Sequence, residues 1–374
     1  MHTPNTNPQA NARLTHWLAL VLAANVLGQT GCQHHANPPT TTAGGSTVGS
    51  PLATPDDEAG PFVAKQFIYD SAPFPSCHAS TIVDTPHGVM AAWFGGQDEG
   101  EPDVGIWTSR YADGAWTTPQ LVAEGVSPQW PERYPCWNPV LFQMPEGPLV
   151  LFYKVGPNPR DWWGMRMESS NYGRTWSAPE RLPEGIMGPV RNKPELLPNG
   201  MLLCGSSTED HGWRVHMEQT PDGGRTWSRT PPLHSADDCG LIQPTLLTWP
   251  NGRVQILCRS RQGAVYESWM GDTFESWSKP APIGLPNPNS GIDGVVLRDG
   301  RAVLIYNHTP KGRSPLNVAF SRDGRTWNAS VVLEDEPGEY SYPAVIQSAD
   351  GMIHITYTWK RERIRHVVLN PEKL

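Results

Sequence analysis

Apolar and polar positions along this chain form short alternating strands that come in pairs, each pair joined by a tight turn. Several turns contain Asn-Gly or Asp-Gly, which tolerate the positive φ that two-residue hairpins require. The pairs are CHASTIVDTPHGVMAAWFGG from Cys77, WNPVLFQMPEGPLVLFYKVG from Trp137, NKPELLPNGMLLCGSS from Asn192, IQPTLLTWPNGRVQILCRSR from Ile242, GIDGVVLRDGRAVLIYNH from Gly291 and SYPAVIQSADGMIHITYTW from Ser341. This pattern predicts six copies of one β-hairpin unit.

A second motif follows the hairpins and ends in tryptophan. It reads SSNYGRTW at 169–176, TPDGGRTW at 220–227 and SRDGRTW at 321–327, with degenerate forms at 109–116 and 268–277. The Asp or Asn side chain caps its own turn, the glycine adopts the unusual backbone angle, and the tryptophan packs between strands. We therefore interpret these turns as structural markers and not as catalytic residues.

Together the two motifs predict an all-β fold, a six-bladed β-propeller over residues 61–374. Prolines recur in the hairpin units at a spacing of about 50 residues, the size of one four-stranded blade. The chain ends at 366–374 before the sixth unit can form a fourth strand. The strand FVAKQFIY at 62–69 precedes the first unit and is predicted to complete the last blade, which would join the two ends of the ring.

The N-terminus has the pattern of an export signal. Residues 17–27 form an apolar run after Arg13, too short for a stable membrane span, and small residues then lead to Cys32. We expect residues 1–32 to be a signal peptide, either simply cleaved or of the lipoprotein type with a lipid on Cys32. Residues 33–60 are rich in Pro, Thr, Ser and Gly and are predicted to be a flexible linker. The protein is therefore expected outside the cytoplasm, with membrane anchoring through Cys32 as the alternative to release.

Composition excludes several function classes. The net charge of −8 and the absence of a basic stripe argue against a nucleic-acid partner. The cysteines lack CxxC spacing and the 12 histidines are scattered, so we predict no metal site. No glycine-rich phosphate loop joins a strand to a helix, so no cofactor is expected. We predict a monomer whose partner is a glycan.

The whole region from Phe62 to the end resembles the sialidase (neuraminidase) superfamily, because its Trp-ended turns match the Asp boxes, or BNR repeats, of that six-bladed propeller. Sialidases bind the substrate carboxylate with three arginines, use a tyrosine activated by a glutamate as nucleophile, and use an aspartate as acid/base. Guanidinium groups match a carboxylate bidentately, and a neutral tyrosine approaches an anionic sugar without charge repulsion.

The resemblance assigns several of these roles to residues of this chain. The segment GEYSYPAVIQSADG resembles the strand pair that carries the nucleophile, which implies Tyr340, with Tyr342 as the alternative. The stretch YNHTPKGRSPLNVAFSRDGRTW implies that Arg313 is the third arginine. The end of the strand RVQILCRSR implies that Arg259 is the second, with Arg261 as its neighbour.

The chain departs from the sialidase pattern at two other positions. Where sialidases have the first arginine, this chain has CHASTI, and His78 is nearest to the expected place; His78 is a candidate for substrate binding or acid/base chemistry. Arg191 is the candidate replacement for that arginine. The strand that should begin Glu-Pro begins with Gln243, which cannot accept a proton from a tyrosine, so Glu195 or Glu339 is a candidate substitute.

The remaining candidates lie on loops and strand ends. The loop GGQDEGEPDVG after the second strand offers acids for the acid/base role, namely Asp98, Glu99 and Glu101. Polar and aromatic residues at inner strand ends are predicted to bind substrate: Trp137, Asn138, Lys193, Asn289 and Asp293, together with Gln243.

Three functions remain open from the sequence. The leading hypothesis is an exported sialidase-like glycoside hydrolase that acts on a terminal acidic sugar, where the departures make sialic acid itself doubtful. The second is a polysaccharide lyase, in which His78 or a tyrosine removes the proton beside a uronate carboxylate. The third is a non-catalytic glycan-binding propeller.

Overall fold

The computed structural model describes residues 60–374, in which the strands form six antiparallel sheets. At most junctions between neighbouring sheets the first strands contact each other, so the sheets are arranged as blades around an axis. The predicted six-bladed propeller is thus confirmed. The predicted signal peptide and the linker up to residue 59 lie outside the described residues. Within 60–374, no helix has the length and apolar character needed to cross a membrane.

Each blade runs from an inner strand at the axis to an outer strand at the rim. Blades 1 to 3 comprise β2 (Ser76–Thr85), β3 (Gly88–Gly96), β4 (Gly105–Ala112), β5 (Ala115–Trp116) and β6 (Gln120–Ala123); β7 (Cys136–Gln143), β8 (Leu149–Val155), β9 (Trp163–Ser169) and β10 (Glu180–Arg181); and β11 (Glu195–Leu196), β12 (Leu202–Thr208), β13 (Arg214–Thr220) and β14 (Ser228–Arg229).

Blades 4 to 6 repeat this order. They comprise β15 (Leu241–Thr248), β16 (Val254–Ser260), β17 (Ala264–Trp269) and β18 (Ala281–Pro286); β19 (Asp293–Val296), β20 (Ala302–Asn307), β21 (Leu316–Ser321) and β22 (Asn328–Glu334); and β23 (Tyr340–Gln347), β24 (Ile353–Trp359) and β25 (Arg363–Leu369), with β1 (Phe62–Phe67) at the rim. A short 3-10 helix, Pro371–Lys373, ends the chain.

The two ends of the described chain close the ring in blade 6. Strand β1 pairs antiparallel with β25, and Lys65 lies opposite Val367 in this ladder. The closing strand predicted at 62–69 is therefore confirmed. The C-terminal segment supplies three strands of blade 6, and β1 supplies the fourth, outer strand.

The hydrophobic core lies between adjacent blades rather than in one central cluster. Blades 1 and 2 share residues such as Phe94 and Leu151, and blades 5 and 6 share residues such as Ile305 and Val345, all nearly inaccessible to water. Burial of each such side chain contributes about 1.5–3 kcal/mol. Packing between blades therefore fixes their relative orientation at the axis, where the candidate functional residues lie.

The Trp-ended turns connect the third strand of a blade to its fourth, as the sequence predicts. In the turn between β13 and β14, Asp222 accepts hydrogen bonds from the Arg225 and Thr226 amides at 2.9 and 2.8 Å. Burial opposes its ionisation, yet the hydrogen bonds from Thr226 and Thr220 lower the pKa of Asp222 to about 2. The carboxylate is thus fully engaged in its own turn.

Four inner strands contain a bulge at the same level of the axis. The ladder between the first and second strands is interrupted there in blades 1, 2, 4 and 6. In each bulge one residue has a φ between 40° and 57°: Ala79, Asn138, Gln243 and Tyr342. A bulge re-aims the side chain that it carries, so the bulged strands present these positions differently from a regular strand.

Candidate functional site

Four side chains surround Tyr342 at one end of the propeller axis. The guanidinium carbons of Arg191, Arg259 and Arg313 lie 5.2, 5.5 and 5.5 Å from the centre of its ring. The ring of His78 packs on the same tyrosine, with ring centres 4.1 Å apart. We call these five residues the axial site. Three cations around one phenol make this a place suited to an anionic ligand.

Arg259, at the end of β16, is held by hydrogen bonds from both sides. Its Nη1 donates to the Tyr342 hydroxyl at 2.6 Å and to Gln243 Oε1 at 3.2 Å. Its Nε and Nη2 donate to the side-chain and main-chain oxygens of Asn289 at 3.0 and 2.6 Å. Gln243 and Asn289, both predicted to bind substrate, therefore orient Arg259, which in turn orients the phenol oxygen.

Arg191 is almost completely buried in the axial site. Its Nη2 donates to the carbonyl oxygen of Pro343, next to Tyr342, at 2.6 Å. Burial lowers its pKa to about 10, although Asp293 opposes this shift. Its Nε is buried and has no hydrogen-bond partner among residues 60–374. The guanidinium group thus keeps a donor that the protein leaves unsatisfied.

Arg313 is linked to an ion-pair chain at the rim of the axial site. Glu339 Oε1 lies 3.3 Å from Arg313 Nη1 and 2.8 Å from Arg361 Nε, and it also accepts the Ser341 hydroxyl at 3.1 Å. Arg361 also contacts the carboxylate of Glu99. The candidate base Glu339 is therefore shared by two guanidinium groups as their ion-pair partner.

His78 is buried beside Tyr342 and is neutral. Its Nδ1 lies 3.0 Å from the Thr358 hydroxyl oxygen. Burial lowers its pKa well below the usual value, and the positive charges of nearby arginines, Arg361 foremost, lower it further. The imidazole at this position therefore stays unprotonated at neutral pH and resists gaining a positive charge.

The burial of His78 predicts a specific loss of stability in acid. The unfolded chain binds a proton at His78 as the pH falls through about 6.5, whereas the folded chain does not, so stability decreases below that pH. Between pH 7.5 and 5.5 the wild type should lose about 1.4 kcal/mol more unfolding free energy than His78→Gln. Urea denaturation of both proteins at the two pH values measures this difference. An equal loss in the two proteins would show that His78 can be protonated in the fold.

Tyr340, the first choice for the nucleophile, does not reach the axial site. Its side chain is 1% exposed and packs in the core between blades 5 and 6, with its ring 6.5 Å from that of Trp359. The bulge of β23 follows it and gives Tyr342 a φ of 50°. The assignment to Tyr340 is thus wrong on geometry, and the alternative, Tyr342, is the tyrosine in the axial site.

Glu195 is also misplaced for the role of the base. It pairs with Leu203 near the start of β12, and its carboxyl lies beside Thr248 at the far end of β15. These strand ends lie away from the end of β16 that carries Arg259. Burial raises the pKa of Glu195 to about 7, although Lys193 opposes this shift. Glu195 is therefore too far along the axis to take a proton from Tyr342.

Lys193 and Asp293 form an ion pair that links blades across the axis. Asp293 Oδ2 accepts Lys193 Nζ at 2.9 Å and the Val345 amide at 2.8 Å, and its Oδ1 accepts the Thr245 hydroxyl at 2.7 Å. These groups come from blades 3, 4, 5 and 6. Lys193 and Asp293, predicted to bind substrate, instead satisfy each other and the inner strands.

The acidic loop after β3 contributes one residue to the rim. Glu99 contacts Arg361, as described above, whereas Asp98 Oδ1 accepts the Glu99 amide at 2.8 Å and caps its own turn. Glu101 is exposed and its backbone closes the turn with Asp98 at 3.1 Å. Of the three candidate acids, the structure brings Glu99 to the ion-pair chain of the axial site.

Trp137 and Asn138, two candidate binding residues on β7, are both buried. Trp137 packs against Phe94 and Trp162, and its Nε1 donates to Gly156 O at 2.9 Å, so it is a packing residue. Asn138 is buried at the bulge of β7.

Trp213 lies beside the axial site, where the guanidinium carbons of Arg259 and Arg261 lie 5.3 and 4.1 Å from its ring. Glu209 is hydrogen-bonded to it, and burial raises the pKa of Glu209.

Two contributors to the rim, Arg361 and Glu209, are absent from the sequence prediction. Both lie in turns after a second strand, where the hairpin repeat gives no signal. For the tyrosine a signal does exist. Asn138, Gln243 and Tyr342 each stand directly before the recurring proline, at the bulge. Aligning the repeats on that proline selects Tyr342 over Tyr340.

The axial site differs in its charged residues from the surface cavities. A cavity of about 450 Å³ is lined by residues 66–71 and 114–119. Its lining has one acidic side chain, Asp70, and no arginine or lysine. Within residues 60–374, no three His, Cys, Asp or Glu side chains are grouped as a potential metal site. The cationic axial site is thus the better candidate for binding an anionic ligand.

Comparison with known proteins places this fold in a family. The model of the BNR repeat-like domain family matches residues 88–355, more than half of the chain. The chain belongs to this family. With its six-bladed fold, it is a sialidase-like protein of the BNR-repeat superfamily. Among curated protein sequences, none matches it significantly.

Solved structures share the fold at low sequence identity. A protein of unknown function from Dyadobacter fermentans is 17% identical, with a TM-score of 0.70 over 84% of this chain and 99% of its own. The NanB sialidase of Streptococcus pneumoniae is 13% identical, with a TM-score of 0.67 over 84% of this chain and 71% of its own. The intramolecular trans-sialidase of Ruminococcus gnavus is 12% identical, with a TM-score of 0.65 over 85% and 99%. These similarities establish the propeller fold.

Proposed function

We propose that this protein is a glycoside hydrolase that releases a terminal acidic sugar from a glycan. The observation that carries the proposal is the convergence of Arg191, Arg259 and Arg313 on Tyr342. Guanidinium groups bind carboxylates through paired, charge-assisted hydrogen bonds. An acidic sugar would thus be held with its ring against the phenol.

The proposed reaction uses Tyr342 as the nucleophile. Its oxygen attacks the anomeric carbon while the bond from that carbon to the leaving oxygen breaks, and its proton passes to water. A carboxylic acid at the rim, for which Glu99 is the candidate, protonates the leaving oxygen. Water then displaces Tyr342 from the sugar and restores the phenol, which gives net retention.

A lyase remains the second candidate because of two observations at the same site. Gln243 stands where a glutamate would activate the tyrosine, and a neutral histidine packs on Tyr342 instead. In that reaction His78 or Tyr342 removes the proton beside a uronate carboxylate, and the arginines stabilise the resulting negative charge. The leaving oxygen departs with its bonding electrons and takes up a proton, which leaves a double bond in the sugar.

Product analysis separates these functions. Residues 60–374 would be incubated with sialylated, ketodeoxy-sugar and uronate-terminated glycans, and the released sugars analysed by mass and ultraviolet absorbance. We expect a saturated acidic monosaccharide, heavier by one water than the elimination product. An unsaturated product absorbing in the near ultraviolet would instead establish a lyase. Binding without turnover, unchanged by Tyr342→Phe, would indicate a glycan-binding propeller.

We also propose that the protein acts outside the cytoplasm, where such glycans are exposed. The support is the apolar run at 17–27 followed by Cys32. Mass spectrometry of the mature N-terminus tests this, since a lipid on Cys32 and simple cleavage give different masses. An N-terminus that retains residues 1–31 would contradict export.

A further inference from the structure

The segment that leads into Arg191 lacks the strand pairing found in blades 1, 2, 4 and 6. Residues 182–194 contain no strand, and the inner strand of blade 3 is only β11, two residues long. In blades 1, 2, 4 and 6 the inner strand stays paired beyond its bulge, up to the end of the propeller axis where the axial site lies. The backbone groups before Arg191 therefore need partners other than a β ladder.

The Val190 amide donates to Gly205 O of β12 at 3.1 Å, and two buried charged side chains supply the other partners of this turn. Lys154, at the end of β8 in blade 2, donates from Nζ to Pro189 O at 2.9 Å. Glu218, in β13 of blade 3, accepts the Met187 amide at 3.0 Å and the Gly188 amide at 2.6 Å. The turn preceding Arg191 is thus fixed from both neighbouring sheets.

The carboxylate of Glu218 is itself oriented. His216 Nε2 lies 2.8 Å from Glu218 Oε1, on the same strand. Glu218 and Lys154 are both 0% exposed. All groups that bind the turn are therefore buried and held in place, and the turn has little freedom to move alone.

Burying two charged groups is a costly way to stabilise a fold. Apolar residues of similar volume often give equal or greater stability at such places. Burial lowers the pKa of Lys154 to about 7, although Glu218 opposes this shift, which shows how strongly the surroundings penalise its charge. Such an arrangement is better suited to holding a defined backbone geometry than to adding stability.

We propose that Lys154 and Glu218 are positioning residues, which fix the turn at 187–190 and thereby set the place of Arg191 in the axial site. Only Val190 separates Arg191 from Pro189, whose carbonyl Lys154 binds. From there the guanidinium group of Arg191 reaches Pro343 O at 2.6 Å. The consequence for substrate binding rests on the proposed function, whereas the geometric claim does not.

A labelling experiment tests the geometric claim without any substrate. Arg191 is 1% exposed and should react slowly with phenylglyoxal in the wild type. In Lys154→Met we expect at least about a tenfold faster modification of the Arg191 peptide, because a displaced guanidinium becomes accessible. Glu218→Gln provides a second variant. Its side chain keeps one acceptor oxygen but places an NH2 donor where the second oxygen of Glu218 accepts a backbone amide, so one of the two bonds to the turn is lost. The mass spectrum reports the Arg259 peptide as an internal reference.

Tyr357→Phe is the matched control for a general loss of stability. Tyr357 donates to Glu334 Oε1 at 2.6 Å, a buried bond to a carboxylate that lies away from Arg191. This variant should lose stability without faster labelling of Arg191. If Arg191 remains as protected in folded Lys154→Met and Glu218→Gln as in the wild type, the proposal is overturned. Equal acceleration in Tyr357→Phe would also overturn it.

A double-mutant cycle then tests the effect on binding. Calorimetry with N-acetylneuraminate and glucuronate should show at least about tenfold weaker affinity in Lys154→Met. In an Arg191→Met background the same substitution should cause no further loss, whereas a merely structural role gives additive losses. If the wild type binds neither of these sugars nor the ketodeoxy sugar, the proposed function fails, while the labelling still decides the positioning claim.

Discussion

Replacing Tyr342 with phenylalanine should lower kcat at least about 1000-fold, because the proposed nucleophile is lost while the ring remains. The ring contacts with His78 and the three arginines do not need the hydroxyl. Binding of the acidic sugar should therefore change much less than turnover. Steady-state kinetics on the glycan identified by product analysis, with calorimetry of the released sugar, measure the two effects separately.

Tyr340→Phe is the matched control, two residues away on the same strand. Its ring is buried between blades 5 and 6, so kcat should stay near the wild-type value and stability should change by no more than about 1 kcal/mol. A large loss of turnover in Tyr340→Phe with an active Tyr342→Phe would reverse the assignment and contradict the reaction proposed above.

Arg259→Met should weaken binding of the acidic sugar about 100- to 1000-fold. Arg259 is the arginine that bonds directly to the Tyr342 hydroxyl, and its removal leaves Gln243 and Asn289 with unfilled acceptors. Both the carboxylate contact and the orientation of the phenol would be lost, so KM should rise and kcat should fall together. Kinetics and calorimetry on the same substrate check both values.

Arg261→Met provides the comparison for charge alone. Arg261 is exposed and stacks on Trp213 with its guanidinium carbon 4.1 Å from the ring, so the variant removes one positive charge near the axial site. We expect a change of less than about tenfold that weakens further with salt. Equal losses in the two variants would mean that long-range charge, and not the bonds of Arg259, attracts the ligand.

The fold could be predicted from sequence because its unit is local. A hairpin, its turn and a Trp-ended connection occupy consecutive residues, so each blade is visible in one stretch such as 241–286. Even ring closure could be predicted, since the sixth unit lacks a fourth strand and β1 has no other blade to join. Repetition supplied six independent observations of the same pattern.

The site was predictable only where it follows the repeat. Arg259 lies at a strand end and its position follows from the hairpin register, whereas Tyr340 and Tyr342 cannot be separated by strand alternation. In a regular strand both would face the same side, and the bulge at Tyr342 breaks that rule. Glu195 was misassigned because a two-residue inner strand gives no sign of which end of the axis it occupies.

Contributions from turns are the least visible in sequence. Arg361 lies in the turn between β24 and β25. Its charge comes near His78 only because blade 6 packs against blade 1. Such contacts depend on how blades pack and not on any local pattern, so a single sequence does not reveal them.

Ring closure has a consequence for the order of folding. Blades 1 to 5 each use one continuous stretch of chain, so they can form soon after synthesis, whereas β1 must wait for β25, about 300 residues later, and bear the entropy of closing that loop. Until then Phe62 and its strand present unpaired edges, a state in which chains can pair with one another. Closure of the ring therefore depends on residues 363–369, and a chain cut short before Arg363 would be left as an open arc.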